Sequence, residues 1–324
     1  MKDSIDQIFK NFLYNLRIKN NSLYYLIKPV IPRSFQLYIR RKFIRYMLTQ
    51  FTDTWPIKES ACNPREIFSG WPDNKKFALV LSHDVDTGKG QRNCLDLANI
   101  EETLGFRSSF NFVPERYTVD RNLRKHLVDK GFEVGVHGLN HDGKLYTNRN
   151  VFHERADKIN NYLKEWDAVG FRSPSMHHNL EWIHELDIEY DSSSFDTDPF
   201  EPQPDAEETI FPFLVQNEKD KHCYVELPYT LPQDFTLFIL MEEKNIEIWK
   251  RKLDWIVENG GMALAVSHPD FMHFGKGSMG REEYPAGYYE EFLKYIKNNY
   301  KGIYWHALPR EVARFWSTGR VKKK

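Results

Sequence analysis

The stretch 77–86, FALVLSHDVD, restricts the fold more than any other part of the chain. Four apolar residues in a row, Ala78, Leu79, Val80 and Leu81, suit a strand covered on both faces, as in a parallel sheet. The run ends in two carboxylates and opens into a glycine-containing turn at 87–90. Alternation along a strand sends Asp84 and Asp86 to one side, His83 and Val85 to the other. Two carboxylates on one side of a strand end repel unless a cation or a proton lies between them. Taken alone, the stretch also fits a pair of solvated loop aspartates. The later strands of the chain separate the two readings.

From residue 77 onward, strand and helix patterns alternate. Strands are expected at 77–86, 107–113, 132–137, 169–172, 190–194, 224–228, 262–268 and 303–306. Helices are expected at 92–104, 120–130, 150–166, 180–186, 243–259 and 287–299, with a last one from Pro309 to 315. Such alternation with right-handed crossovers gives an α/β fold, either a doubly wound sheet or a closed barrel. No GxGxxG or GxxxxGK[ST] follows a strand, which weighs against the nucleotide-binding sheets. Seven to eight units in about 245 residues fit a distorted (β/α) barrel. Pro199, Pro202, Pro204, Pro212 and scattered acids make 194–222 an insertion or long loop near the site mouth.

Residues 1–70 read as a basic, helical N-terminal appendage, 71–318 as the catalytic body and 319–324 as a basic tail. Positions 8–27 mix apolar and basic residues before Pro29 and Pro32 break the chain, and Ser34 is placed to cap a helix running to 49. The net charge of −1 is unevenly distributed: residues 1–50 carry +8, so the rest carry −9. A basic amphipathic segment lying on an anionic membrane surface fits residues 1–50; so does a helix packed on the body with its Lys and Arg solvated. An acidic body excludes nucleic acid as the main partner. Three scattered cysteines, Cys62, Cys94 and Cys223, make neither a disulfide framework nor a cysteine-rich zinc site. The first residues lack a signal-peptide pattern and the longest apolar run, 235–241, is far short of a span. The expected location is cytoplasmic, with peripheral contact to the inner membrane face as the extension of the basic-segment reading.

Chemistry-bearing residues gather at strand ends. His137 and His141, in HGLNH, have a spacing that lets two imidazoles reach one metal, although twelve histidines make one such pair plausible by chance. Joined to an aspartate of the first strand, they form a His2Asp set with room for water. Arg172, in RSP, ends the fourth strand either as a plain terminus or as a guanidinium held beside a carboxylate. Asp191, in YDSSS, and His268, in AVSH, end the fifth and seventh, supplying a carboxylate to hold a tautomer and a proton donor. In a barrel all these ends meet on one rim, where active sites of this architecture lie. The convergence points to a metal-dependent hydrolase.

In their order, HDVD (83–86), HGLNH (137–141), RSP (172–174), YDSSS (190–194) and AVSH (265–268) resemble the motifs of the polysaccharide deacetylases, the NodB-homology group of carbohydrate esterase family 4. The likeness covers about 73–316. It implies a distorted barrel with a divalent metal, zinc foremost and cobalt or nickel as alternatives, that removes acetyl groups from N-acetylated sugars. By position, Asp84 resembles the general base, Asp86, His137 and His141 the metal ligands, Arg172 the partner of the base, and His268 the general acid, with Asp191 as its partner. Three departures stand out: Val85 between the aspartates, Ser175 where an aromatic usually follows Pro174, and Ser192 where a Trp often stands. Ser175 and His178 are candidate substrate contacts; His177 and His178 are otherwise solvated loop histidines or extra ligands. The expected function is removal of an N-acetyl or O-acetyl group from a sugar of an envelope or capsule polysaccharide or its precursor, with carbohydrate as the partner. A metal-dependent C–N hydrolase of a small amide and a non-catalytic sugar-binding protein are the alternatives.

Overall fold

The computed structural model describes residues 32–217 and 223–318. The stretch 8–27, Pro29, part of the insertion (218–222) and the 319–324 tail lie outside the described residues. Among those described, eleven strands are present, nine of them in one curled sheet and two, β9 (Met272–His273) and β10 (Tyr284–Pro285), paired with each other.

β1 (Phe77–Val85) is buried at all nine positions and organises the wall. Along one edge it pairs in parallel with β8 (Met262–Ser267), Ala78 facing Met262 through to His83 facing Ser267. Its C-terminal half pairs with β2 (Ser109–Phe112), and its first three residues with β11 (Tyr304–His306). The wall continues through β3 (Glu133–His137), β4 (Gly170–Arg172), β5 (Tyr190–Asp191) and β7 (Cys223–Glu226), all parallel, with β6 (Phe213–Gln216) antiparallel on the edge of β7. All eight expected strands are present.

Closure is thin. Past β7 the chain meets β5's continuation at a Phe195–Tyr229 bridge and β8 at a single Leu231–Ala265 bridge. The amides of Thr230 and Leu231 both reach the Leu264 carbonyl at 3.1 Å, and Thr230 Oγ1 donates to the Met262 carbonyl at 2.7 Å. This narrow seam is the distortion of the barrel: β7 and β8 do not form a ladder.

Helices cover the outside. α2 (Gly88–Leu104) begins earlier than expected, so 87–90 is its first turn, with Thr87 Oγ1 accepting from Lys89 N. Asp120 and Asn148 cap α3 (Arg121–Asp129) and α4 (Arg149–Trp166) in the same way, satisfying amide groups that have no intrahelical partner. α5 (Glu247–Asn259), α6 (Gly287–Asn299) and α7 (Pro309–Ser317) complete the ring. In place of the helix expected at 180–186 there is one short 3₁₀ turn, Trp182–Glu185. Ahead of α5 the apolar run forms a π-helical turn, Phe235–Leu240.

The stretch 194–200 is buried rather than looped into solvent, because its acids have partners. Asp196 meets Lys252 at 2.5 Å, and Asp198 and Glu201 accept from the Tyr229 hydroxyl at 2.9 and 2.8 Å.

An N-terminal helix, α1 (Arg33–Leu48), buries Leu37 and Ile44 and lies against the π-helical turn. Pro32, not Ser34, holds its N-cap position, so Ser34 is inside the first turn. Arg41 donates to the Ile239 carbonyl at 3.0 Å, Arg41 and Arg45 pair with Glu242, and Arg33 pairs with Glu282. Further along the chain, Trp71 donates to the Gly260 carbonyl and packs against Phe68, Trp305 and Trp316. No described helix is long and apolar enough to cross a membrane.

Candidate active site

The C-terminal ends of β1, β3, β4 and β8 bring Asp84, Asp86, His137, Arg172 and His268 to one rim, and the loop after β3 adds His141. Alternation explains the inward set: Ser82 and Asp84 face Asn111 and Arg172, while His83 points outward to Glu101 and Ser267.

Asp86, His137 and His141 each offer one donor atom, all within 4.8 Å of one another. Asp86 Oδ1 lies 3.1 Å from His141 Nε2 and 3.4 Å from His137 Nε2, yet it is buried and makes no hydrogen bond. His137 Nδ1 lies 3.0 Å from the Arg172 carbonyl, which can only accept, so Nδ1 carries a proton and Nε2 is the nitrogen turned toward Asp86. An unpartnered carboxylate oxygen facing two imidazole nitrogens is suited to a cation between them, and the carbonyl behind the His137 ring favours the tautomer that can ligate one. The donor set, two imidazoles and one carboxylate, fits a divalent metal ion.

The loop carrying His141 is shaped by Gly138, whose φ is +61°; a Cβ there would come within 2.5 Å of Pro174. On the far side, Asp270 accepts from Asp86 N at 2.9 Å and from Thr87 Oγ1 at 2.5 Å. Gly90 lets α2 approach Asp270 so closely that a Cβ would sit 2.0 Å from its Oδ2.

Asp84 stands apart from the donor triad in its bonding. Its Oδ1 accepts from Arg172 Nη1 and Asn111 Nδ2, both at 3.0 Å. Burial pushes its pKa up, but the Arg172 charge, with His137 and His268 behind it, holds the carboxyl below its ordinary value. Arg172 is itself pinned by the Ser192 carbonyl and hydroxyl, each at 2.8 Å, so Ser192 buttresses the guanidinium.

His268 is held by a carboxylate the sequence did not disclose. Asp234 Oδ1 meets His268 Nδ1 at 2.7 Å, and its Oδ2 accepts from His268 N and the Tyr284 hydroxyl at 2.8 and 2.9 Å. Burial alone would lower the imidazole pKa; the Asp234 charge and hydrogen bond, then Asp86 and Asp84, push it up to about 10.

The sequence matches no protein-family model and no curated protein. Solved structures do match. A Mycobacterium smegmatis protein assigned as a polysaccharide deacetylase is 18% identical, with 77% of this chain and 94% of that one covered and a TM-score of 0.59. A Pseudomonas aeruginosa PAO1 protein given the same assignment is 16% identical, with 78% and 94% covered and a TM-score of 0.58. The chain has the polysaccharide deacetylase, or NodB-homology, fold. The Puue allantoinase also has it: 15% identity, 78% and 94% coverage, TM-score 0.60.

Within this deacetylase fold three expectations change. Asp191 does not hold His268. Arg172 and Ser192 face inward, so Asp191 faces outward, where it binds Ser193 and shares a buried position with its register partner Glu226. His178 is not a solvated substrate contact: its ring is buried, Nδ1 meets the Met176 carbonyl at 2.9 Å, Nε2 lies 3.6 Å from Asp205, and Gln203 brackets its backbone. Ser175 lies half-buried at φ +57° in the turn after β4, and His177, beside His141, has its pKa lowered to about 4 by burial. Asp234, Asp270 and Asn111 carry no signal in the sequence, because each is a lone polar residue with no motif around it.

Proposed function

We propose that this protein is a metal-dependent hydrolase that removes an acetyl group from an N-acetylated sugar. The observation that carries the reading is three separate functions side by side: a His2Asp donor set, an ionised carboxylate locked to an arginine, and an imidazolium locked to a second carboxylate. Non-catalytic sugar binding would need neither of the last two.

Asp86, His137 and His141 would hold a divalent ion, zinc first among the candidates, and it would supply Lewis acidity at the acyl carbonyl and at water. Asp84 stays ionised through the neutral range because Arg172 faces it, and takes one proton from the attacking water. His268, protonated at neutral pH, gives its proton to the departing nitrogen; the C–N bond breaks and a C–O bond forms, leaving acetate and an amine. Asp234 fixes Nδ1, so the proton leaves from Nε2.

The small-amide reading has one observation in its favour: Ser175 and Ser192 occupy positions where the resemblance calls for aromatics. A screen of the zinc-loaded protein separates the two, with acetate released from N-acetylated oligosaccharides and nucleotide sugars on one arm and ammonia or amine released from ureides and cyclic imides on the other. Turnover of the second class alone would replace the deacetylase reading. Loss of all turnover to a chelator and its return with zinc, cobalt or nickel tests the metal.

A further inference from the structure

The three most exposed large apolar side chains among the described residues lie on two segments that are tied together. Tyr38 (55% exposed) and Phe35 (52%) are on α1, and Met279 (53%) is in the exposed, glycine-containing stretch 275–280. Arg33, in the first turn of α1, donates to Glu282, just past that stretch, at 2.9 Å. Met279 is flanked in sequence by Lys276 and Arg281, so both segments set apolar side chains among cations.

α1 has two faces. The inner one buries Leu37 and Ile44, sends Arg41 to the Ile239 carbonyl and lays Arg40 4.9 Å from the Phe235 ring centroid. At 3.6 residues per turn, Phe35, Tyr38, Ile39, Lys42, Arg45 and Tyr46 share the opposite arc. A helix that packs on a body and is otherwise solvated turns a polar face outward. This outer face is aromatic and cationic instead. Phe35 stacks on Tyr38 with centroids 6.4 Å apart, and Lys42 Nζ lies 5.9 Å from the Tyr38 ring.

Charge narrows the choice of partner. α1 holds five Lys and Arg and no acid, against Glu242 and Glu282 as its acidic partners on the body. Residues 1–31, which lead into it, add five more Lys and Arg and two Asp. The chain from residue 51 onward sums to −9, so an anionic surface attracts this side of the molecule and repels the rest. A second copy docked on the same face would set like charges against each other.

We propose that the outer face of α1, with the Met279 stretch beside it, docks on an anionic lipid bilayer. Phe35, Tyr38 and Met279 enter the headgroup region, and Lys42 beside them meets lipid phosphates. Because Arg33, Arg41 and Arg45 lock α1 to the body, docking fixes the orientation of the whole barrel rather than tethering it loosely. The surface stands or falls independently of the deacetylase reading.

The test mixes the full-length protein with vesicles of phosphatidylcholine alone or with phosphatidylglycerol, and reads the bound fraction by sedimentation. Wild type is expected on the anionic vesicles, less so as salt rises. Phe35→Ser combined with Tyr38→Ser is expected to lower the partition coefficient about tenfold, and Met279→Ser about threefold. Phe35→Trp combined with Tyr38→Trp keeps it, and an unchanged melting temperature in the Ser variants shows that the fold is intact. Absence of wild-type binding to anionic vesicles, or equal binding to neutral ones, overturns the proposal. So does an unmoved partition coefficient in the double Ser variant, which would leave residues 1–31 as the binding segment. A dimer that the double variant abolishes, with no vesicle binding, would give the face to a second copy and overturn it as well.

Discussion

Two pairs of carboxyl groups occupy strand ends on opposite faces of the same wall, and they behave in opposite ways. Asp84 and Asp86 face inward, where Arg172, Asn111 and two imidazoles surround them, and both are held below the ordinary carboxylate range despite burial. Asp191 and Glu226 face outward as register partners, fully buried, with serine hydroxyls as their main donors. Burial, and for Glu226 the charge of Asp191, pushes both up. The neighbours make the difference: the Arg172 guanidinium for Asp84, and the imidazoles of His141 and His137 for Asp86.

The strongest way to break the inner pair is to remove its metal donor. Asp86→Ala should lose bound metal, read by elemental analysis, and turnover with it, whereas His178→Ala keeps both. Next comes the base: Asp84→Asn should retain metal and lose about 10²–10⁴-fold in kcat. Retained turnover with metal bound would remove Asp84 from the mechanism.

A third change sets the true partner of His268 against the expected one. The imidazolium is lost as pH rises through a value pushed up to about 10, with Asp234 the largest raising influence. Asp234→Asn should therefore move the alkaline fall of kcat/KM to lower pH and cut activity about 10²-fold. Asp191→Asn should move neither limb; a shift there would restore it to the site.

The smallest effect belongs to the outer pair and is one of stability. A carboxyl with a raised folded pKa favours the fold at low pH, and that contribution is lost as pH climbs above the ordinary value of 4.5 toward the raised one. Glu226→Gln should flatten the decline of Tm with rising pH over that window, measured by calorimetry. Asp84 has the opposite sign, its contribution being lost as pH falls below 3.8.

The strands were legible because each is a short apolar run closed by turn residues, and the inner site because its residues terminate those runs. Asp191 misled for a physical reason. β5 is two residues long, too short for alternation to show which face is inside, and only the Arg172–Ser192 contact decides it. Asp234 was hidden because its apolar sequel, FTLFIL, looks like an ordinary core segment, and the π-helical turn that aims it has no periodic signature. The buried acids of 194–201 read as part of a long loop or insertion because their partners Lys252, Tyr229 and Gln233 lie elsewhere in the sequence.

The seam beside β8 gives the proton donor a second duty. Asp234 stands just past one lip of the joint, at Leu231, and His268 just past the other, at the end of β8. Their contact is thus a clasp over the most weakly laddered line in the wall. While the imidazole is charged, the clasp joins two opposite charges; a ring that has lost its Nε2 proton would still donate from Nδ1 to the carboxylate, without the ion-pair attraction. Under the proposed mechanism the joint would be held more tightly before proton transfer from His268 than just after it.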